Sequence, residues 1–224
     1  MEVCYFSSRF KNSFTIMTQT EALSELRAML NEATAGFYLD DELYKFLNSG
    51  QLEIVTLAYS KQIAMQKVDP GYQSDILRQL ETVSTPVGVS TPTDYTNLPS
   101  DFLFILSATI AIDSGELRSA TRLNHSDFIR KEENSFTKAT ISSPKYYILG
   151  TKLYFRPTYI NEASVGFVYV KNPSTVSSSQ DFTLSAESHL PIIWLAYSYA
   201  LAKNQRLQES VTARQTAFNL IKDL

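Results

Sequence analysis

Leu30-Asn31-Glu32, Phe37-Tyr38-Leu39-Asp40-Asp41-Glu42-Leu43 and Leu47-Asn48 form the stretch on which the fold of this chain turns. It reads as the end of one short helix, a tight loop and the start of a second helix. Asp40 is placed as the cap of that second helix, since a carboxylate there accepts the free backbone N–H groups of the first turn. Asp41 and Glu42 put negative charge at the positive end of the helix dipole. Leu43, Phe46 and Leu47 share one face at helical spacing. Asp40, Leu43, Phe46 and Leu47 therefore make a cap-and-packing motif, and nothing in this hairpin asks for catalysis.

Outward from that stretch, a first helix is expected from about Glu21 to Asn31 behind a Thr20 cap, burying Leu23, Leu26, Met29 and Leu30. The second begins at Asp41. Asn48-Ser49-Gly50 is a weak point, because Gly costs a helix about 1 kcal/mol relative to Ala. A break or bend is expected there, with a third helix from about Ser49 to Gln66. Asp69-Pro70-Gly71 signals a turn, and a short helix follows over Gln73 to Val83. Near the other end, Pro191 suits a first helical turn, so a helix is expected from near Ser188. It buries Ile192, Leu195, Ala196, Tyr199 and Ala202. Asn204-Gln205 marks a bend before a last helical stretch, Arg206 to Lys222.

Between these helical parts the composition changes. Residues 84–100 are rich in Ser, Thr and Pro, which interrupt helices. Phe104 to Ile112 and Glu116 to Leu123 flank Asp113-Ser114-Gly115 as a hairpin would, although short apolar runs of this kind also fit a helix. Asn124 to Glu133 reads as a brief helix. The clearest β signal is Lys145 to Leu149, Gly150-Thr151, then Lys152 to Pro157, a two-residue hairpin with Gly first in the turn. In that register Leu149 faces Lys152 and Tyr147 faces Tyr154. Ile148 with Leu153 and Tyr146 with Phe155 occupy the other side, the expected core face. Val165 to Val170 supplies a third strand and completes a meander.

The chain has 224 residues, 44% hydrophobic and 19% charged, enough for one compact domain or two small lobes. Net charge is −3, but residues 21–116 carry −9 and residues 117–158 carry +5. A dipolar subunit of this kind suits stacking or partners of opposite sign, unless the charges cancel around each element. The single Cys4 excludes an internal disulfide framework. Residues 1–16 contain Glu2, Arg9 and Lys11 and lack the apolar centre of a signal peptide. They read as an arm whose Tyr5, Phe6, Phe10 and Phe14 either anchor on a neighbouring subunit or fray. Leu190 to Ala202 is too short and too polar to cross a bilayer, which needs roughly 20 apolar residues. A soluble protein with no membrane contact is expected.

Residues for chemistry are scarce. One Cys and two distant His, His125 and His189, give no metal-ligand spacing, and no cofactor is expected. His125-Ser126-Asp127 has the residue types of a hydrolase triad, but adjacent side chains diverge, so helix capping by Asn124 or Ser126 is the expected role. No Gly-rich phosphate loop is present. Arg118, Arg122, Arg130, Lys131, Lys138, Lys145, Lys152 and Arg156 interleave with aromatic residues, a composition that binds nucleic-acid backbones or merely solvates a face. With a pI of about 5.5 the solvated face is the preferred reading.

The opening stretch, with Leu98-Pro99-Ser100-Asp101-Phe102, Tyr147-Ile148-Leu149-Gly150, Leu153-Tyr154-Phe155-Arg156-Pro157 and Val168-Tyr169-Val170-Lys171-Asn172-Pro173 in that order, resembles head-to-tail connector (adaptor) proteins of tailed bacteriophages, especially the short-tailed type. The resemblance spans most of residues 20–203. It implies a virion structural protein and no enzyme: a homo-oligomeric ring, usually twelve copies, below the portal, with tail or second neck-ring proteins docking beneath. Double-stranded DNA passes through the ring, and assembly takes place in the host cytoplasm. The α+β architecture expected is an N-terminal helical bundle packed with a C-terminal helix, with an antiparallel β meander lobe inserted between them. Its parts are an arm (1–19), a helical lobe (20–83), a crossover (84–100), a β lobe (101–175) and C-terminal helices (185–224). Phe218, Leu220, Ile221 and Leu224 form a candidate portal-binding segment. A carbohydrate- or receptor-binding tail module, stacking ligand on exposed Tyr, is the alternative. An enzyme with a distributed carboxylate site is the third reading.

Overall fold

The computed structural model describes residues 17–32, 36–84, 87–89, 94–112, 116–132, 134, 136–157 and 163–222. The turn Asp113-Ser114-Gly115, the arm up to residue 16 and Leu224 lie outside them. The chain is α+β and divides into two compact units, one gathering the described residues up to Gln79 and from Pro173 onward, the other Leu80–Asn172.

The first unit is helical. Helix α1 (Gln19–Met29) starts two residues before the expected point, because Thr18 and Glu21 form a reciprocal capping box. Helix α2 (Asp40–Met65) is one unbroken helix of 26 residues, not two. The expected break at Gly50 fails because Gly50 is buried where α2 crosses α5 (Ala186–Lys203), and the missing side chain is what permits the approach. Asp40 is not the cap: Leu39 holds that position with no side-chain bond, and Asp40 is the first helical residue. The first turn still carries Asp40, Asp41 and Glu42 against the helix dipole. Helix α3 (Asp75–Arg78) is a single turn, since Leu80 onward leaves for a strand. Helix α5 begins at Ala186 rather than Ser188, so Pro191 lies inside it. Gln205 then adopts φ +60°, reversing the chain into α6 (Leu207–Lys222). Ala22, Leu26, Leu43, Leu47, Ile54, Val55, Ile192, Leu195, Ala196, Ala213 and Ala217 are buried in this unit.

The second unit holds α4 (His125–Glu132) and two sheets. In one, β9 (Ala163–Lys171) lies between β4 (Phe102–Ile112) on one side and β1 (Glu81–Val83) and β2 (Val87–Val89) on the other, with β5 (Arg118–Ser119) beyond β4. In the other, the order is β3 (Tyr95–Asn97), β8 (Lys152–Arg156), β7 (Lys145–Leu149) and β6 (Thr121–Arg122). The Phe104 to Ile112 run is therefore a strand, and a register irregularity between Ile105 and Ser107 shifts its inward residues from Ile105 to Ala108, Ile110 and Ile112.

The β7–β8 hairpin has the expected register at every pair from Tyr146↔Phe155 to Leu149↔Lys152. Gly150 alone takes the positive φ, as a type II′ turn requires. Tyr146, Leu153 and Phe155 are buried on the core face. The expected meander is incorrect. Val165 to Val170 does not follow β8 in the sheet, because β3 covers that edge and β9, apolar on both faces, is the centre of the other sheet. The second sheet is also mixed, since β6 and β7 are parallel.

Gly50 gives a direct test of the α2–α5 crossing. A Cβ there would lie 2.8 Å from the Ile192 carbonyl oxygen and 3.2 Å from Leu195 Cβ. Alanine gains about 1 kcal/mol of helix propensity, but overpacking costs about 1–3 kcal/mol, and a backbone carbonyl cannot rotate aside. Gly50→Ala should lower the urea unfolding midpoint, whereas Ser49→Ala at the exposed neighbouring position should not.

Candidate functional site

The residues singled out in the sequence separate into an internal knot, a helical wall and a partly paired cationic run. Leu43 and Leu47 are buried, and Phe46 packs edge-on to Tyr38 at 6.0 Å between ring centroids. Tyr38 is itself buried and donates its hydroxyl to the Ala200 carbonyl of α5 at 2.6 Å. Asp40 takes the guanidinium of Arg27, which reaches across from α1, donates to the Tyr38 carbonyl at 3.2 Å and lies 3.5 Å from Glu32. The loop between α1 and α2 is thus closed by a charged knot.

Further fastening comes from amides. Asn48 donates to the Val176 carbonyl at 2.9 Å and accepts from its N–H at 2.7 Å, as a backbone partner would. Gln51 donates to the Ser174 carbonyl and accepts from Thr183 N–H, and Gln62 accepts from Ser74 N–H. Sequence reasoning did not single these out, although Gln51, Val55, Ala58 and Gln62 share one face by spacing, and a Gln on an apolar face signals a buried amide. Glu53 joins three helices. It accepts from the Tyr199 hydroxyl of α5 at 2.5 Å and from the guanidinium of Arg214 on α6. Burial, then the bond to Glu53, push the Tyr199 phenol up to about 12.

The candidate C-terminal segment lies on α6. Phe218 and Ile221 are half-buried and, with Leu57, Ala58 and Lys61 of α2 and Tyr72, Ser74 and Ile76, line a groove of about 430 Å³. Leu220 is half-buried on the same helix, and Leu224 lies outside the described residues. Two helical faces of this unit carry exposed apolar side chains. On α2, Leu52 and Ile63 are 41% and 43% exposed, with half-buried Tyr59 between them on one face. On α6, Leu207 and Val211 are 63% and 65% exposed.

In the β unit three of the eight cations of the run are ion-paired. Arg118 pairs with Glu116, Arg130 with Asp127 and Arg156 with Asp94, at 2.6–2.8 Å. Lys145 donates to the Thr137 carbonyl, and the Lys152 ammonium sits 3.8 Å above the Tyr95 ring. The tyrosines are likewise used: Tyr147 and Tyr154 stack at 4.9 Å, and Phe128 of α4 lies 4.5 Å from Tyr147. Ring faces turned to one another leave little platform for a sugar or base. Asn124 caps α4 by accepting the Asp127 N–H at 2.7 Å, with Ser126 donating to the same oxygen, so His125-Ser126-Asp127 opens a helix and forms no relay. Phe136 stands 96% exposed on a turn organised by Asn134.

His189 is buried at the start of α5. Its Nδ1 accepts from Met17 N–H at 3.1 Å, and Nε2 faces the Leu184 carbonyl at 2.9 Å, so the neutral ring carries its proton on Nε2. Burial lowers its pKa from 6.5. The stability this ring supplies is fully present above pH 6.5 and is lost as pH falls below it, because the folded state resists protonation. Tyr199 has the opposite sense: its contribution is full below pH 10 and is lost as pH rises from 10 towards 12. Unfolding midpoints across pH should fall at both ends. Tyr199→Phe should shrink the alkaline fall and His189→Gln the acid one.

Among the described residues no helix is long and apolar enough to cross a membrane. A comparison with curated proteins gives no match. The model of the SU10 adaptor protein family matches residues 17–224, which is nearly the whole chain and covers every helix and strand described above. The chain therefore belongs to the SU10 adaptor protein family and is a bacteriophage head–tail adaptor.

Proposed function

We propose that this adaptor works as one subunit of a closed ring that bridges the capsid portal and the tail and surrounds the genomic DNA as it passes. The observation that carries this reading is the pair of unlike open faces on the helical unit: Leu52 and Ile63 on α2, Leu207 and Val211 on α6. Both helices turn their buried sides towards α5, so these stripes face away from it. A head-to-tail cyclic contact needs two different patches on one chain, and rotation then closes the ring. Twelve copies is the expected number, from the resemblance to phage connectors. Exposed Phe136, Ile141 and Leu117 on the β unit offer a separate contact for a second structural partner.

The chemistry is that of surfaces. The acidic stretch 21–116 suits a channel lining, because like charge removes the counterion-release attraction that holds DNA to basic surfaces. The carbohydrate-binding alternative is disfavoured by the stacked tyrosines, whose faces are taken by one another.

Native mass spectrometry and negative-stain imaging of the chain, alone and with the portal protein of its particle, test the reading. Rings are expected in at least the second sample, and Leu52→Glu with Val211→Glu should abolish them while leaving the monomer folded. A chain that stays monomeric in both, or rings with a basic lumen, would count against it.

A further inference from the structure

Glu53 meets Arg214, and Leu57, Ala58 and Lys61 line one groove with Phe218 and Ile221, so α2 and α6 run the same way and finish at one end of the helical unit. The groove between them has about 430 Å³, within the roughly 300–1,000 Å³ of sites that bury a ligand. Resting on the reading above, that this chain docks other proteins of the particle, we propose that the groove receives an acidic amphipathic helix of a partner structural protein.

Three observations lead there. The first is apolar supply: the lining is mostly hydrocarbon, and exposed Met65 and Val68 follow at the end of α2 and in the turn after it. The second is charge. Lys61 is the only charged side chain in the lining, and neither it nor nearby Lys67 pairs with a carboxylate among the described residues. Of the local acids, Asp75 pairs with Arg78, while Asp69 keeps its charge as it accepts the Gly71 N–H, so the two lysines outweigh the acids by one charge. The rim therefore presents net positive charge to an incoming segment. The third is backbone satisfaction. The long walls are helices, and the Ser74 N–H in the third wall is taken by Gln62. No strand edge is offered, so the occupant binds through side chains, as a helix laid in a groove does. Phe218 and Ile221 become walls that accept a partner's side chains, so the candidate portal-binding segment acts here as a receiving surface.

The test uses the full chain and a synthetic helix of about four turns, with Leu and Phe on one face and Glu on the other, beside a twin with Lys for every Glu. Heteronuclear NMR should show the acidic peptide moving the resonances of Leu57, Lys61, Ile76 and Phe218. The Lys61→Glu, Lys67→Glu double variant should weaken it about tenfold, and the basic twin should bind about tenfold more weakly than the acidic peptide. Three results would overturn the proposal: equal binding of the twin, no binding, or shifts confined to Leu52 and Ile63 or to Leu207 and Val211, which would mark a contact suited to a second copy. A tenfold gain on deleting residues 223–224 would assign the groove to the chain's own end and would also overturn it. Ring formation is scored separately by native mass spectrometry. Rings without peptide binding remove this proposal alone, and peptide binding without rings removes only the ring.

Discussion

The crossing of α2 over α5 is the constraint from which the helical unit follows. Gly50 brings the backbone of α2 within reach of the Ile192 carbonyl, closer than any side chain would permit. Once those helices touch, the positions that face α5 are fixed by the helical period. Leu43, Leu47 and Ile54 are buried on α2, and Ile192, Leu195 and Ala196 on α5. The same period fixes which positions look away, and Leu52 and Ile63 are among them. The exposed stripe of α2 proposed above as a ring contact thus follows from one small residue. A larger residue at position 50 would separate the helices and loosen every contact arranged around the crossing.

Polar side chains then set the surroundings of that crossing. A returning loop of irregular backbone has no ladder of its own to satisfy its N–H and C=O groups. The segment 173–184 finds partners on α2 instead, at Asn48 and Gln51. Glu53 does the corresponding work between helices, holding Tyr199 and Arg214 together. Burial makes these bonds costly to leave unmade, so they specify one arrangement among several apolar packings of similar quality. The α6 wall of the groove is placed by Arg214 in this way, one helical turn before Phe218.

What could be read in the sequence follows the range of each interaction. The β7–β8 hairpin was legible pair by pair, because its register depends on a two-residue turn and on alternation within ten residues. Helix existence was legible for the same reason. The errors lie where distant chain decides. Gly50 looked like a helix breaker because propensity is local, whereas its partner Ile192 is far away in sequence. Asp40 looked like a cap because acids cap helices, but Arg27 on the preceding helix claims its carboxylate. Val165 to Val170 looked like the third strand of a meander because it comes next. Its nine-residue strand is apolar on both faces, and that fits the centre of a larger sheet better than an edge beside Lys152 and Arg156. The engaged cations, Arg118, Arg130 and Arg156, were invisible as pairs, because sequence counts charges and does not say which ones meet.

These pairs also bear on how an adaptor handles DNA. A basic run read from sequence invites a phosphate-binding role, yet attraction to DNA comes from releasing counterions, and a cation already held by Glu116, Asp127 or Asp94 has less to release. The three ion pairs lower the positive charge of residues 117–158 without cancelling it. In the proposed ring, where protein neighbours would stay bound while DNA moves past, apolar faces would hold in any salt and paired charges would add rigidity without adhesion.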